Sequence, residues 1–192
     1  MINSNDVVNL VSGSKDLIAV QDYKNLNKKL NTGGVAFDVT EGLGDNTATS
    51  SMVFINSGGF QDQKITAVMN YPSATTAGNE DIGVMLRTIT TEGSDASYYY
   101  ARVDGGFAKI TKVLDGTFST LTSQAFALVQ GENVTITFSA VGNVLSATFD
   151  AGGSPATVEL SALDDSIPTG GVLGFRSLSS AIWCRSLAWE QL

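Results

Sequence analysis

Tyr98, Tyr100 and Arg102 fall at alternate positions of the run Ser97-Tyr98-Tyr99-Tyr100-Ala101-Arg102-Val103, and Met85 and Arg87 at alternate positions of Ile82-Gly83-Val84-Met85-Leu86-Arg87. Alternate side chains of an extended strand share a face, so two paired strands whose sides coincide would gather these residues into one patch. Tyrosine rings stack on the apolar faces of sugars, and guanidinium groups donate paired hydrogen bonds. Arg87, Tyr98, Tyr100 and Arg102 are therefore the candidate face for a glycan, an anionic polymer or a protein partner. The same residues also suit a plain structural strand, because tyrosine is a common strand former and arginine covers it by stacking. Both readings stay open on the residues alone.

No catalytic constellation accompanies the patch. The 192 residues include no histidine, which removes imidazole bases, the Ser-His-Asp arrangement and His-containing zinc sites. The single cysteine, Cys184, cannot form an internal disulfide; beside Trp183 in an apolar run, it is expected to be a buried small hydrophobe. Trp183 and Trp189 are expected in the core. A calcium ion would need several converging oxygens, to which Asp45-Asn46, Asp150 or Asp164-Asp165 could contribute. Each of these pairs also suits ordinary turn chemistry, and no EF-hand spacing is present. The expectation is no cofactor, with calcium unsupported by any motif.

Net charge narrows the partners. The chain carries 11 Lys and Arg against 19 Asp and Glu, a formal charge of -8, and its basic residues form no stripe that could track phosphates, so nucleic acid is not an expected ligand. That charge favours solubility and suits a protein present at high local copy number. Met1 to Asp6 lack the basic start of a signal peptide, and no apolar run approaches the roughly 20 residues that span a bilayer. Neither secretion by a signal nor membrane insertion is expected.

The elements that must position the patch are short strands. With 20 Gly, 16% charged residues and a mean hydropathy of +0.10, the composition points to many tight turns and an ample core. From Val35 onward, β-type segments recur between Gly-rich or Asn/Asp-rich breaks. Ile65, Ala67 and Met69 alternate with Thr66, Val68 and Asn70 in a strand that Pro72 is expected to end. The runs 82–87 and 97–103 read as a hairpin. Asp104-Gly105-Gly106 turns the chain into a strand over 107–114, which Asp115-Gly116 closes. Val134, Ile136 and Phe138 alternate with threonine and serine, and Gly142-Asn143 leads into Leu145, Ala147 and Phe149. Residues 170–176 and 181–189 supply two final strands, the last expected to pair centrally. The first 34 residues differ: Ser14 could cap a short helix carrying Leu17, Val20, Tyr23, Leu26 and Leu30, or the segment is an extended arm. The expected organisation is an N-terminal arm over 1–34 and one β domain over 35–192.

The order of these segments resembles the concanavalin A-like (laminin G-like) lectin/glucanase superfamily. Phe60 to Ala67 resembles its early strand, Ile82 to Arg87 its "GvvfR" strand, and Tyr98 to Val103 its "yyyvrv" strand. Lys112-Val113-Leu114-Asp115-Gly116 also fits, Asn133 to Phe149 is similar to its hairpin around "Gn.l", and Gly171 to Arg176 resembles its "G.vGl" signature. The resemblance covers about residues 35–192 and implies an all-β jelly roll, a sandwich of two antiparallel sheets. Its enzymes are not matched. The glucanase Glu-x-Asp-x-x-Glu strand is absent, Glu80-Asp81 and Glu159 standing outside that pattern, and the lyase design lacks its histidine. The resemblance implies a non-enzymatic structural or adhesion protein, similar to capsid decoration or fibre components of tailed-phage virions assembled in the host cytoplasm. Its expected partners are virion proteins or cell-surface glycans, with homo-oligomers following on a symmetric particle. The alternative is a soluble carbohydrate-binding module, and a glycan-active enzyme ranks below both.

Overall fold

The computed structural model describes residues 17–21, 26–31, 34–39, 50–55, 61–74, 81–90, 96–129, 131–168, 170–178 and 180–192. Among them there is no helix. Fourteen strands run in chain order as β1 (Leu17–Gln21), β2 (Leu26–Asn31), β3 (Gly34–Val39), β4 (Ser50–Ile55), β5 (Gln63–Ala74), β6 (Asp81–Thr90), β7 (Ser97–Asp104), β8 (Phe107–Leu114), β9 (Thr117–Ala125), β10 (Asn133–Val141), β11 (Val144–Asp150), β12 (Val158–Leu163), β13 (Val172–Leu178) and β14 (Ser180–Gln191). The first sheet has the order β1-β4-β13-β6-β7-β8-β9 and the second β12-β11-β10-β5-β14-β3-β2. Every pairing is antiparallel.

Period-two alternation builds the interior. Ile65, Ala67 and Met69 of β5, with Val134, Ile136, Phe138 and Ala140 of β10, turn inward from the second sheet. Ile82, Val84 and Leu86 of β6, with Tyr99, Ala101 and Val103 of β7, meet them from the first. Burial of a side chain such as Phe138 or Ile136 stabilises the fold by about 1.5–3 kcal/mol. Two-residue turns set the register of the meander. Gly105 and Gly106 have φ of 58° and 80°, and Asp115 and Gly116 have 48° and 72°. Positive φ at both central positions is the turn that matches strand twist, which glycine adopts without strain and aspartate tolerates.

Three features differ from the sequence expectation. The sheets reach back into the first 34 residues: β1 pairs with β4 and β2 with β3, so this stretch is extended where described, while Ser14 and Tyr23 lie outside the described residues. Pro72 does not end β5, which continues to Ala74. Pairing with β10 stops at Asn70↔Asn133, and the β14 register shifts between Ala181↔Ser73 and Trp183↔Asn70, so the proline sits at an irregularity where its missing N–H is tolerated. Strands β9 and β12 had no forecast, because β9 is exposed along most of its length and alternates weakly, and β12 is a short edge strand. The last strand does pair centrally, β14 lying between β5 and β3. Trp189 is partly buried against the interior; the side chains of Trp183 and Cys184 lie outside the described residues.

Candidate functional site

The outer face of the first sheet, turned away from the sandwich interior, collects most of the predicted patch. Tyr98 pairs with Val113, Tyr100 with Thr111 and Arg102 with Lys109 across β7 and β8, while Met85 and Gly83 of β6 stand opposite Tyr100 and Arg102. Met85, Tyr98, Tyr100, Val113 and Ala96 form an apolar cluster of their own, separate from the interior. Tyr98 and Tyr100 meet edge to face at 6.1 Å. Gly83 makes room for this: a Cβ there would lie 2.8 Å from Cε2 of Tyr100 and 2.7 Å from the Arg102 Cα, and would also strike the Ala101 carbonyl oxygen.

The tyrosines are sealed in rather than offered to solvent, at 2% and 0% exposure. The Tyr100 hydroxyl donates to Asp81 Oδ1 at 2.9 Å and approaches the Arg176 carbonyl at 3.1 Å. Arg176 Nη1 donates to the Tyr98 hydroxyl at 2.6 Å. Arg102 donates from Nη1 to Asp81 Oδ2 at 2.7 Å and from Nε to Thr111 Oγ1 at 3.2 Å, and its Nη2 lies 3.2 Å from Asp104 Oδ2. The guanidinium carbons of Arg102 and Arg176 each lie 5.7 Å from the Tyr100 ring centre, and 5.6 and 5.0 Å from that of Phe118. Arginine stacking over tyrosine, the structural alternative for this strand, is therefore what the geometry holds. Phe118, by contrast, is 43% exposed.

Arg87 does not join the face. The β6–β7 register shifts after Leu86, the β13–β6 register shifts nearby, and Arg87 has φ 51°, so the bulge breaks the alternation that would have carried its side chain outward. Its side chain is fully buried. There the guanidinium donates to the carbonyls of Gln61 at 2.9 Å, Ile167 at 3.2 Å and Gly142 at 2.7 Å, and lies 3.6 Å from Asp62 Oδ1. Its own N–H donates to Gln63 Oε1 at 3.0 Å.

Burial sets the electrostatics of the face. Desolvation pushes the Asp81 carboxyl above its ordinary value, outweighing the opposing pull of Arg102, Arg176 and the Tyr100 hydrogen bond. Burial likewise raises Tyr98 and Tyr100, the latter helped by Asp81. For Arg102, burial alone would lower the value, but Asp81, Tyr100 and Asp104 together hold it above the ordinary one. Both phenols are fixed in their neutral form, as hydrogen-bonding groups rather than bases.

Two of the carboxylates weighed for calcium, Asp150 and Asp164, are engaged within the chain. Asp150 Oδ1 accepts from the Gly152 N–H at 2.8 Å and from Thr157 Oγ1 at 3.3 Å, an Asx turn. Asp164 accepts from Tyr99 OH, Lys112 Nζ and the Ser166 N–H at 2.7, 2.7 and 2.9 Å, and these bonds outweigh its burial and lower its pKa to about 2. Among the described residues no three Cys, Asp or Glu gather as a metal site. Asp45, Asn46 and Glu80 lie outside the described residues, and Glu159 is exposed on β12.

Phe118, Arg176 and Asp81 went unassigned as members of the face. A signal for Phe118 existed: the two-residue turn Asp115-Gly116 pairs Leu114 with Thr117 and so puts Phe118 beside Val113, which faces Tyr98. Arg176 had none, since β13 reaches β6 only through a long-range pairing.

No protein-family model matches the chain, and no curated protein matches it by sequence. Its fold does have solved counterparts. The carbohydrate-binding module CBM66 from Bacillus subtilis superposes with a TM-score of 0.65 at 14% identity, covering 87% of this chain and 92% of its own. The exoplasmic/lumenal domain of VIP36, in a form bound to Ca2+ and Man3GlcNAc, gives 0.63 at 12% identity over 90% and 83%. Lectin UEA-II complexed with galactose gives 0.61 at 9% identity over 86% and 90%. Two antiparallel sheets that superpose over most of their length on these structures make the fold of this chain the concanavalin A-like jelly roll.

Proposed function

We propose that this protein is a non-catalytic carbohydrate-binding or adhesion protein, and that it engages its ligand through the outer face of the first sheet. One observation carries the reading: Phe118 is 43% exposed while two arginines hold it from beneath, on a fold whose solved counterparts include a lectin complexed with galactose and the VIP36 domain bound to Man3GlcNAc. A ring fixed in place and open to solvent offers a sugar an apolar stacking surface at little cost in ordering. Tyr98, Tyr100 and Arg102, the residues first expected to touch the ligand, act instead as the bed beneath that ring. The non-catalytic part rests on how acids are used: Asp81 is tied to Arg102 and Tyr100, and Asp164 to Lys112 and Tyr99. A glycan array probed with the intact protein tests the reading. Binding to a defined glycan class is the expected result, and a blank array covering neutral and acidic glycans removes it.

A second, structural reading is a decoration or fibre component of a phage virion, docking on other virion proteins. It is favoured by the same sealed cluster, since side chains whose polar atoms are satisfied internally stiffen a sheet without needing a ligand. Cryo-microscopy of purified particles is its test. Symmetric density for this chain is expected, and particles without it discard the idea.

A further inference from the structure

The outer face carries a second exposed aromatic ring. Phe107, 45% exposed, opens β8 opposite Asp104, on the same side of the sheet as Arg102 and Tyr100. Lys109 Nζ lies 5.7 Å from its ring centre and donates to Asp104 Oδ2 at 2.7 Å. Phe118 stands beside Val113, six positions further along β8 (113 − 107), which places the two aromatic positions about 20 Å apart at the rise of a strand. Between them run Lys109, Arg102 and the exposed hydroxyl-bearing residues Thr120 and Ser123, paired with Thr111 and Lys109.

The charges of Lys109 and Arg102, between the two rings, are spent. Lys109 is bonded to Asp104, and Arg102 has Nε on Thr111, Nη1 on Asp81 and Nη2 beside Asp104. No guanidinium fork of Arg102 is left to grip a carboxylate or sulfate. The -8 charge of the chain also repels polyanions. Two separated rings with exposed hydroxyls between them fit an elongated, uncharged, hydroxyl-rich chain better than one sugar ring, which a single platform would serve.

We infer that Phe107 and Phe118 are the two platforms of an extended subsite that takes an internal stretch of a neutral polysaccharide. This rests on the carbohydrate-binding reading above and names its ligand class. The test is calorimetric titration of the intact protein with soluble neutral polysaccharides (β-glucan, mannan, galactan and fructan), with their oligosaccharides of graded length, and with alginate as the acidic counterpart. Affinity should climb with chain length until both rings are spanned. Phe107→Ala and Phe118→Ala should each weaken polymer binding about 3- to 10-fold, and Phe→Trp at either position should restore it. Both rings are solvent-exposed, and an unchanged near-ultraviolet spectrum of the alanine variants shows that the sheet is intact. Full affinity for a monosaccharide, or polymer binding that neither alanine variant alters, overturns the two-platform subsite and leaves carbohydrate binding standing. Preference for alginate overturns the neutral ligand class. Absence of binding to every glycan overturns the subsite together with the reading beneath it.

Discussion

Two arginines that a strand pattern would put on one face do opposite jobs. Arg87 is fully buried and donates to three backbone carbonyls, fastening the segment before β5, the β10–β11 turn and the loop after β12 to one point. Arg102 spends its donors on side chains, Asp81, Asp104 and Thr111, and covers an aromatic ring. The difference lies in what each can lose. Carbonyls cannot change protonation or turn away, so a missing Arg87 strips three of them of a donor, the buried Ile167 carbonyl among them, whereas a missing Arg102 leaves a carboxyl that can take up a proton. The first arginine organises backbone; the second balances charge beneath a surface.

Replacing Arg87 should bring out the contrast most strongly. Arg87→Ala is expected to lower unfolding stability by about 4 kcal/mol, measured by urea denaturation, with little change between pH 5 and pH 8. A loss below about 1 kcal/mol would show that the three carbonyls find water. Arg102→Met should cost about 3 kcal/mol at neutral pH because it strands Asp81, and less as the pH falls and that carboxyl protonates. Adding Asp81→Asn should recover much of the loss, and a strictly additive double-mutant cycle would break the proposed pairing. Gly83→Ala should cost about 2 kcal/mol and alter the near-ultraviolet tyrosine signal, since the added Cβ meets backbone as well as the Tyr100 ring. The smallest effect is acid sensitivity. Asp164 has its pKa lowered to about 2, so its contribution is present above the unfolded value near 3.8 and is lost as pH falls through 2. That slope should amount to about 1–2 kcal/mol and disappear in Asp164→Asn. Asp81, raised by burial, has the reverse sign: stability falls as pH rises from 3.8 towards its folded value.

What could be read from the residues follows from locality. The β7–β8 turn at Gly105-Gly106 and the β10–β11 turn at Gly142 are two-residue loops between alternating strands, so turn chemistry and period agreed on the same register. Tyr98, Tyr100 and Arg102 were legible as one face for the same reason. Arg87 was not, because a bulge within β6, just after Leu86, inverts the face without any glycine or proline to announce it. Burial of the tyrosines was equally hidden. It depends on Arg176 and Phe118, which arrive from β13 and β9, and strand alternation alone does not say which residues lean across a sheet. The first strands escaped notice because asparagine and lysine dilute the apolar pattern of Leu26–Asn31, whose place is fixed by β3.

The central position of β14 carries a consequence for the order of events during synthesis. Its residues Ser180–Gln191 pair with β5, and Gln191 meets Gln63 across 128 residues (191 − 63). Until that stretch leaves the ribosome, β5 has β10 on one side and an unpaired edge on the other, with Ile65, Ala67 and Met69 beside it. The nascent second sheet therefore waits with an open, apolar seam that other chains could join, and chaperone dependence during translation is the cellular signature of that wait.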